Sequence, residues 1–419
     1  MNAKRVASCA WSASLSLISS LGLVSAAAHD WPQWRGPDRT DVSKETGLLK
    51  QWPEGGPKRV WLYENAGAGY SGPSISESKL FTMGTRDESE ILLALDAQSG
   101  KELWAAKVGP VFAERRGDGP RGTPTVDGTR VYAMGGRGDL ICADVGDGRV
   151  LWRESTRNLG GGIPNWGYTE SVLVDGNLVV CTPGGGRGTI AALDNTNGKL
   201  VWQSKEFTEA AHYSSIIVAE PNGVRQYIQL TASYVAGVSA KDGKLLWKSS
   251  FPGRTAVVPT PIFHDGCVYV TAGYGAGNKL IKIGPDNETA DVYENKVMKN
   301  HHGGVVLVGG YLYGYSDGTG WLCQNFKTGE EMWSERRKLG KGAVTVADGM
   351  LYCLDENDGT VALVEASPKG WQERGRFKLN PQTTLRSPQG RIWTHPVVCN
   401  GKLFLRDQNL IHCYDIKGG

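Results

Sequence analysis

The sequence predicts an all-β fold: an eight-bladed β-propeller of four-stranded antiparallel blades, its ring closed by an N-terminal strand on the last blade. Three observations carry this. First, one motif recurs along the chain: a small residue, Gly six places later, and Trp four places after that. It reads ALDAQSGKELW (94–104), CADVGDGRVLW (142–152), ALDNTNGKLVW (192–202), GVSAKDGKLLW (237–247) and CQNFKTGEEMW (323–333). Second, each copy follows two β-rich runs joined by a turn such as Asp-Gly, as in SVLVDGNLVVCTPG (171–184) and HPVVCNGKLFLRD (395–407). Each unit is thus four strands, at a period of about 40–50 residues. Third, the chain holds 57 Gly and 14 Trp. The glycines supply tight turns, and the tryptophans are large flat groups to bury between sheets. Regular helical segments are absent, which disfavours a solenoid.

Taken in order, residues 1–28 read as a secretory leader. Lys4 and Arg5 precede a mostly apolar stretch from Val6 to Val24, followed by the small residues Ser25 to Ala28. Cys9 lies before the apolar stretch, so no lipid-anchoring Cys stands at the cleavage site. The expected location is periplasmic or secreted. Residues 29–59, with WPQWRGP at 31–37, read as an irregular lead-in, and 60–419 as one ring. Seven blades begin near Tyr70, Arg121, Tyr168, Tyr213, Val258, His302 and Lys341. Degenerate motifs run over 280–293, 361–371 and 410–417. The eighth blade begins near Trp393 and supplies only three strands. VWLYEN (60–65) looks like an outer strand without its own predecessors, so it is expected to complete that blade and remove two open sheet edges.

Composition narrows the partners. Lys and Arg number 46 against 43 Asp and Glu, and removing the leader takes away Lys4 and Arg5. A nearly neutral chain gives no ground for a nucleic-acid partner, and no later stretch is apolar enough to span a bilayer. A monomer with a protein or small-molecule ligand is expected. Seven cysteines follow the leader, without a C-x-x-C pair. Cys142, Cys323 and Cys413 hold the motif position that is Ala or Gly elsewhere, which makes them small packing residues. Trp104, Trp152, Trp202, Trp247 and Trp333 are expected to dock between blades, over the small residue and the Gly.

The A-x-D-x-x-x-G-x-x-x-W pattern resembles the tryptophan-docking motif of PQQ-like propellers, a superfamily that includes PQQ-dependent alcohol dehydrogenases and BamB-type scaffolds. WPQWRGP, MKNHHGG (298–304) and LYGYSDG (312–318) resemble segments of exported PQQ-like repeat proteins. The resemblance implies the fold and leaves two functions open. One is a binding or scaffold module acting through its funnel face. BamB-type scaffolds are usually lipid-anchored, which this chain's cysteines do not match. The other is a quinoprotein oxidoreductase acting on alcohols or sugars, with PQQ held by calcium. Those enzymes use an adjacent Cys-Cys disulfide, which this chain lacks. Trp166, Glu170 and Asn300 have suitable chemistry but match no family position, so no catalytic residue is carried over.

Long inter-blade loops at 109–122, 158–170 and 381–395 place binding on one face of the ring. At the mouth of the eight inner strands stand Tyr70, Arg121, Thr169, Tyr213, Val258, His302, Lys341 and Trp393. Two residues further in stand Gly72, Thr123, Ser171, Ser215, Thr260, Gly304, Ala343 and His395. The candidate ligand residues are therefore Tyr70, Arg121, Trp166, Glu170, Tyr213, His302, Lys341, Trp393 and His395. The same pattern is consistent with a polar plug that satisfies strand ends. Arg121, Arg187, Arg254 and Lys341 would suit an anionic ligand. His302 or His395 with Tyr213 could serve acid–base chemistry, though no spacing demands it. His212, His302 and His395 are the residues that could converge on a metal, but an eight-bladed channel is wide, and no metal site is predicted. His301 and His302 would point to opposite faces of one strand. DENDG (355–359) lacks a calcium loop's closing Glu, since Ala366 stands there. GGGRG (184–188) has no helix after it to cradle phosphate.

Overall fold

The computed structural model describes Met1 and residues 30–418. But for Met1, the leader read over residues 1–28 lies outside the described residues. Eight four-stranded antiparallel sheets form the ring, as the repeat predicts. Their inner strands are Ser74–Ser76, Thr125–Asp127, Leu173–Asp175, Ile217–Ala219, Ile262–His264, Val305–Val308, Gly342–Ala347 and Val397–Cys399, which number blades 1 to 8. Among the described residues no helix is long and apolar enough to cross a membrane.

Closure follows the sequence reading. The strand Arg59–Tyr63 pairs antiparallel with Leu410–Asp415, with Trp61 opposite Cys413 and Leu62 opposite His412. It is the outer strand of blade 8, so the first and last parts of the ring share one sheet. The motif's small residue sits opposite its own Trp across the third and fourth strands: Ala94 and Trp104, Cys142 and Trp152, Cys323 and Trp333. A larger side chain there would collide with the indole. The cysteines at this position are buried and free.

Four of the outer-strand tryptophans donate to the following blade. Trp61 Nε1 donates to Ala97 O at 3.2 Å, Trp104 to Val145 O at 3.2 Å, and Trp152 to Asn195 O at 3.0 Å. Trp333 Nε1 donates to Ser367 O at 2.8 Å, whereas Trp247 turns to Gln226 of its own blade. The motif glycine that meets each ring belongs to the next blade. A Cβ on Gly100, Gly148, Gly198 or Gly243 would lie within 2.7 Å of Trp61, Trp104, Trp152 or Trp202, and all four have φ near +75°. Gly is required at these turns both for backbone conformation and for close approach. At these four interfaces one motif supplies both halves, which is why it repeats.

The lead-in is largely without regular structure, yet it does not lie outside the ring. It is a hairpin driven through the channel, and it touches all eight blades. Trp31 exchanges backbone hydrogen bonds with Ile75 of blade 1, and Val126 N of blade 2 donates to Pro32 O. Arg39 donates to the carbonyls of Ser171, Val172 and Ile216, at blades 3 and 4. Trp34 Nε1 donates to Thr260 Oγ1 before blade 5, and Arg35 to Val305 O of blade 6. Val42–Ser43 adds a parallel fifth strand to the inner edge of blade 7, and Glu45 accepts from Asn400 N and Gly401 N in blade 8. These contacts satisfy the inner edges of sheets that an open channel would leave to water. Asp30 and Leu48 both sit at turns between first and second strands, bonded to Ser76 and Asp348. The hairpin therefore enters and leaves on one face, and the opposite face keeps a blind cup.

Candidate functional site

Inner-strand mouths are knitted from blade to blade. Thr123 N donates to Ser171 Oγ at 2.8 Å, and Ser171 N to Ser215 Oγ at 3.0 Å. Thr169 Oγ1 donates to Tyr213 O, and Thr345 Oγ1 to Pro396 O, both at 2.6 Å. The small hydroxyl residues of the inner positions thus hold the ring together, and they fix the floor of the cup.

The cup encloses about 180 Å³. Ser171, Ser215 and Trp34 form its floor. Its walls come from inter-blade loops: Tyr70, Arg121, Thr169, Tyr213, Val258, His302 and Trp393 at mouth positions, and Trp166, Glu114 and Arg116 from the long loops beside them. Aromatic rings pair around the wall. Tyr70 and Trp393 lie 4.9 Å apart between centroids, Trp166 and Tyr213 5.4 Å, and His302 and Trp393 5.2 Å. Two guanidiniums lie over these rings: Arg116 is 5.2 Å from Trp166, and Arg121 is 5.7 Å from Tyr70 and 4.9 Å from Phe112.

The two arginines differ in pairing. Arg116 forms an ion pair with Glu114 at 3.2 Å. Arg121 donates only to the carbonyls of Gly117 and Gly119, and among the described residues no carboxylate lies within ion-pair distance of it. Burial pushes its pKa down. Across the cup, His302 is held well below the usual imidazole range by burial, with His301, Lys341 and His395 adding to the effect. Its Nδ1 lies 3.4 Å from Glu356 Oε2. Burial also raises Glu356 to about 7 and lowers His301 to about 4.

Tyr70, Arg121, Trp166, Tyr213, His302 and Trp393 thus come together on the cup. Glu170, Lys341 and His395 do not line it. Glu170 alternates with Thr169 and Ser171, so it points away from the axis; its carboxylate accepts from Thr182 N and Oγ1 at 2.6 and 2.9 Å. Burial raises it to about 7. Lys341 is turned to Asp317 at 2.7 Å and to His301 Nδ1 at 3.0 Å. His395 is sealed beneath Trp34, 4.6 Å away, with Nδ1 2.9 Å from Asp41 Oδ2 and Nε2 2.9 Å from His302 O. The three histidines do not converge: His212 Nδ1 accepts from Val257 N, and Asp41 and His302 O take both nitrogens of His395. Among the described residues no three His, Cys, Asp or Glu side chains are grouped to hold a metal.

Trp34, Glu114, Arg116, Tyr274 and His301 line the cup without having been singled out as ligand residues. The length of the 109–122 loop flagged Glu114 and Arg116 as a segment but gave no register. Trp34 lies in the WPQWRGP segment, but nothing local shows that this lead-in crosses the channel.

The family model described as "Outer membrane protein assembly factor BamB" matches residues 87–335 and 286–419. The outer membrane protein assembly factor BamB of Moranella endobia is 22% identical over 328 residues, covering 73% of this chain and 69% of its own. The crystal structure of BamB from Moraxella catarrhalis superposes with a TM-score of 0.61 at 15% identity, covering 86% of this chain and 98% of its own. Quinohemoprotein alcohol dehydrogenase from Comamonas testosteroni superposes with a TM-score of 0.63 at 10% identity, covering 93% and 81%. At such identities the structural likeness concerns the fold alone. By the family match over residues 87–419, this chain belongs to the PQQ-like β-propeller family described as outer membrane protein assembly factor BamB.

Proposed function

We propose that this protein is an exported binding propeller, a rigid scaffold whose blind cup takes a small ligand on the funnel face. The observation that carries the reading is the cup itself: aromatic and cationic side chains from successive blades converge over a closed floor. The relatives' names speak of assembly, and a rigid ring suits a protein partner on its rim as well. A quinoprotein reading has less support. Calcium needs several oxygen ligands, and Glu114 is the one carboxylate among the described lining residues. It already accepts from the side chain and backbone N–H of Arg116. Asn300 is not among the residues that line the cup; its Nδ2 donates to Gly304 O and Tyr315 O, outside the lining. This donor set does not fit a calcium-held quinone.

A melting-temperature panel tests the proposal: neutral sugars, organic acids, phenols, nucleosides, and PQQ with and without calcium. A ligand at 100 times its Kd adds about 2.7 kcal/mol, a visible shift. The expected result is a saturable shift with at least one class other than PQQ, lost in Trp166→Ala. No shift in any arm, or a shift with PQQ plus calcium alone, would overturn it.

A further inference from the structure

The charges and hydrogen-bonding groups of the cup narrow its ligand. This inference rests on the binding reading above and goes on to name a ligand class. Most basic groups near the cup are already matched. Lys341 faces Asp317, and Arg116 faces Glu114. Arg121 is the exception. It is half-buried on the cup wall with two backbone carbonyls as hydrogen-bond partners. Glu90, Glu114 and Asp118 act on it through space, but none forms an ion pair with it: Glu90 accepts from Phe112 N and Gly136 N at 3.1 and 2.8 Å, Glu114 from Arg116, and Asp118 from Glu114 N. A cation removed from water without a counter-ion is costly. Its cheapest remedy is an anion supplied by the ligand, and the planar guanidinium fork suits a carboxylate.

The rest of the lining specifies what carries that carboxylate. The rings of Tyr70 with Trp393 and of Trp166 with Tyr213 offer flat apolar surfaces for the faces of a six-membered ring. The hydroxyls of Ser171 and Ser215 each accept one backbone N–H, which leaves their own protons free to donate to ligand oxygens. His302 is oriented through Nδ1 toward Glu356, and its Nε2 has no protein partner among the described residues. A neutral imidazole nitrogen facing a cavity accepts a hydrogen bond from a hydroxyl.

We infer that the cup binds a hydroxylated six-membered ring bearing a carboxylate, with the acid group against Arg121 and a ring hydroxyl on His302. Two sources share this chemistry: a sugar acid and a hydroxylated benzoic acid. Their hydroxyls differ in geometry, so direct comparison separates them.

Titration calorimetry of the mature chain tests this with D-glucuronate and D-galacturonate against D-glucose, and with 4-hydroxybenzoate against phenol. The expected result is that one acid binds at least about tenfold tighter than its neutral counterpart, since a hydrogen bond to a charged group is stronger than one to a neutral group. The family of acid that binds names the source. Arg121→Met should abolish the acid preference and Arg121→Lys should keep part of it. Arg116→Met should lower affinity for acid and neutral rings alike and keep the ratio. Equal binding of acid and neutral rings, an acid preference that survives in Arg121→Met, or no binding by any of these compounds would each overturn the inference. In the last case, binding of another class in the melting panel would leave the broader proposal standing. If Arg121→Met fails to fold, the wild-type ratio and Arg116→Met still decide.

Discussion

Arg35 and Asp41 meet at the centre of the molecule, Nε to Oδ2 at 2.7 Å, each about 1% exposed. Asp41 also holds His395, and Arg35 also holds Val305 O. Removing one partner of such a pair leaves the other charged and dry, which costs about 3–5 kcal/mol. Asp41→Asn should lower stability by about that amount in equilibrium urea unfolding; a loss under about 1 kcal/mol would show the pair to be dispensable. Titration adds a second residue-scale expectation. Glu90, Glu170 and Glu356 all have folded pKa values raised to about 7, chiefly by burial. The folded state then binds protons more readily than the unfolded chain, so their contribution is complete below about pH 4.5 and is lost as pH rises through 7. His212, His301, His302 and His412 are shifted down by burial, and they act with the opposite sign, but only below about pH 6.5. Between pH 6.5 and 8 the carboxyls act alone. The melting temperature should fall across that interval, and Glu90→Gln should flatten the fall. A melting temperature that rises there would contradict the assignment.

At the scale of the element, the strand Arg59–Tyr63 and the hairpin of residues 30–48 do related work with different legibility. The strand was readable because it has a β-rich run and a docking Trp, the same local pattern as every other outer strand. Tyr63→Pro removes a ladder hydrogen bond opposite Ile411 and opens the edge of blade 8. It should lower the melting temperature and produce concentration-dependent oligomers in light scattering; a monomer with an unchanged melting temperature would show that closure lies elsewhere. The hairpin was not readable. Its side chains reach Ile216 and Val305, 177 and 270 residues away, and no periodicity links such positions. The docking motif was legible for the converse reason. Trp104 and Gly148 meet across neighbouring repeats, so the same spacing is printed many times in the chain.

Over the whole molecule, the ring brings distant loops to one cup while the hairpin closes the opposite mouth. Mouth positions counted along eight strands located Tyr70, Arg121, Tyr213, His302 and Trp393 on the cup, because inner strands in a ring share one register. The same count misplaced Lys341 and His395. Lys341 is drawn aside by Asp317, and His395 is roofed by Trp34. Neither partner is visible from strand alternation. Glu170 shows the limit of reading residue type without the alternation of the strand that bears it.

The measurement that tests this account most directly is hydrogen exchange of the mature chain with and without saturating D-glucuronate or 4-hydroxybenzoate. The account expects added protection confined to the cup, in residues 110–122, 164–171 and 213–216, and in the tip of the hairpin around Trp34. Protection at the outer edges of the blades instead, or none anywhere with either acid, would contradict it.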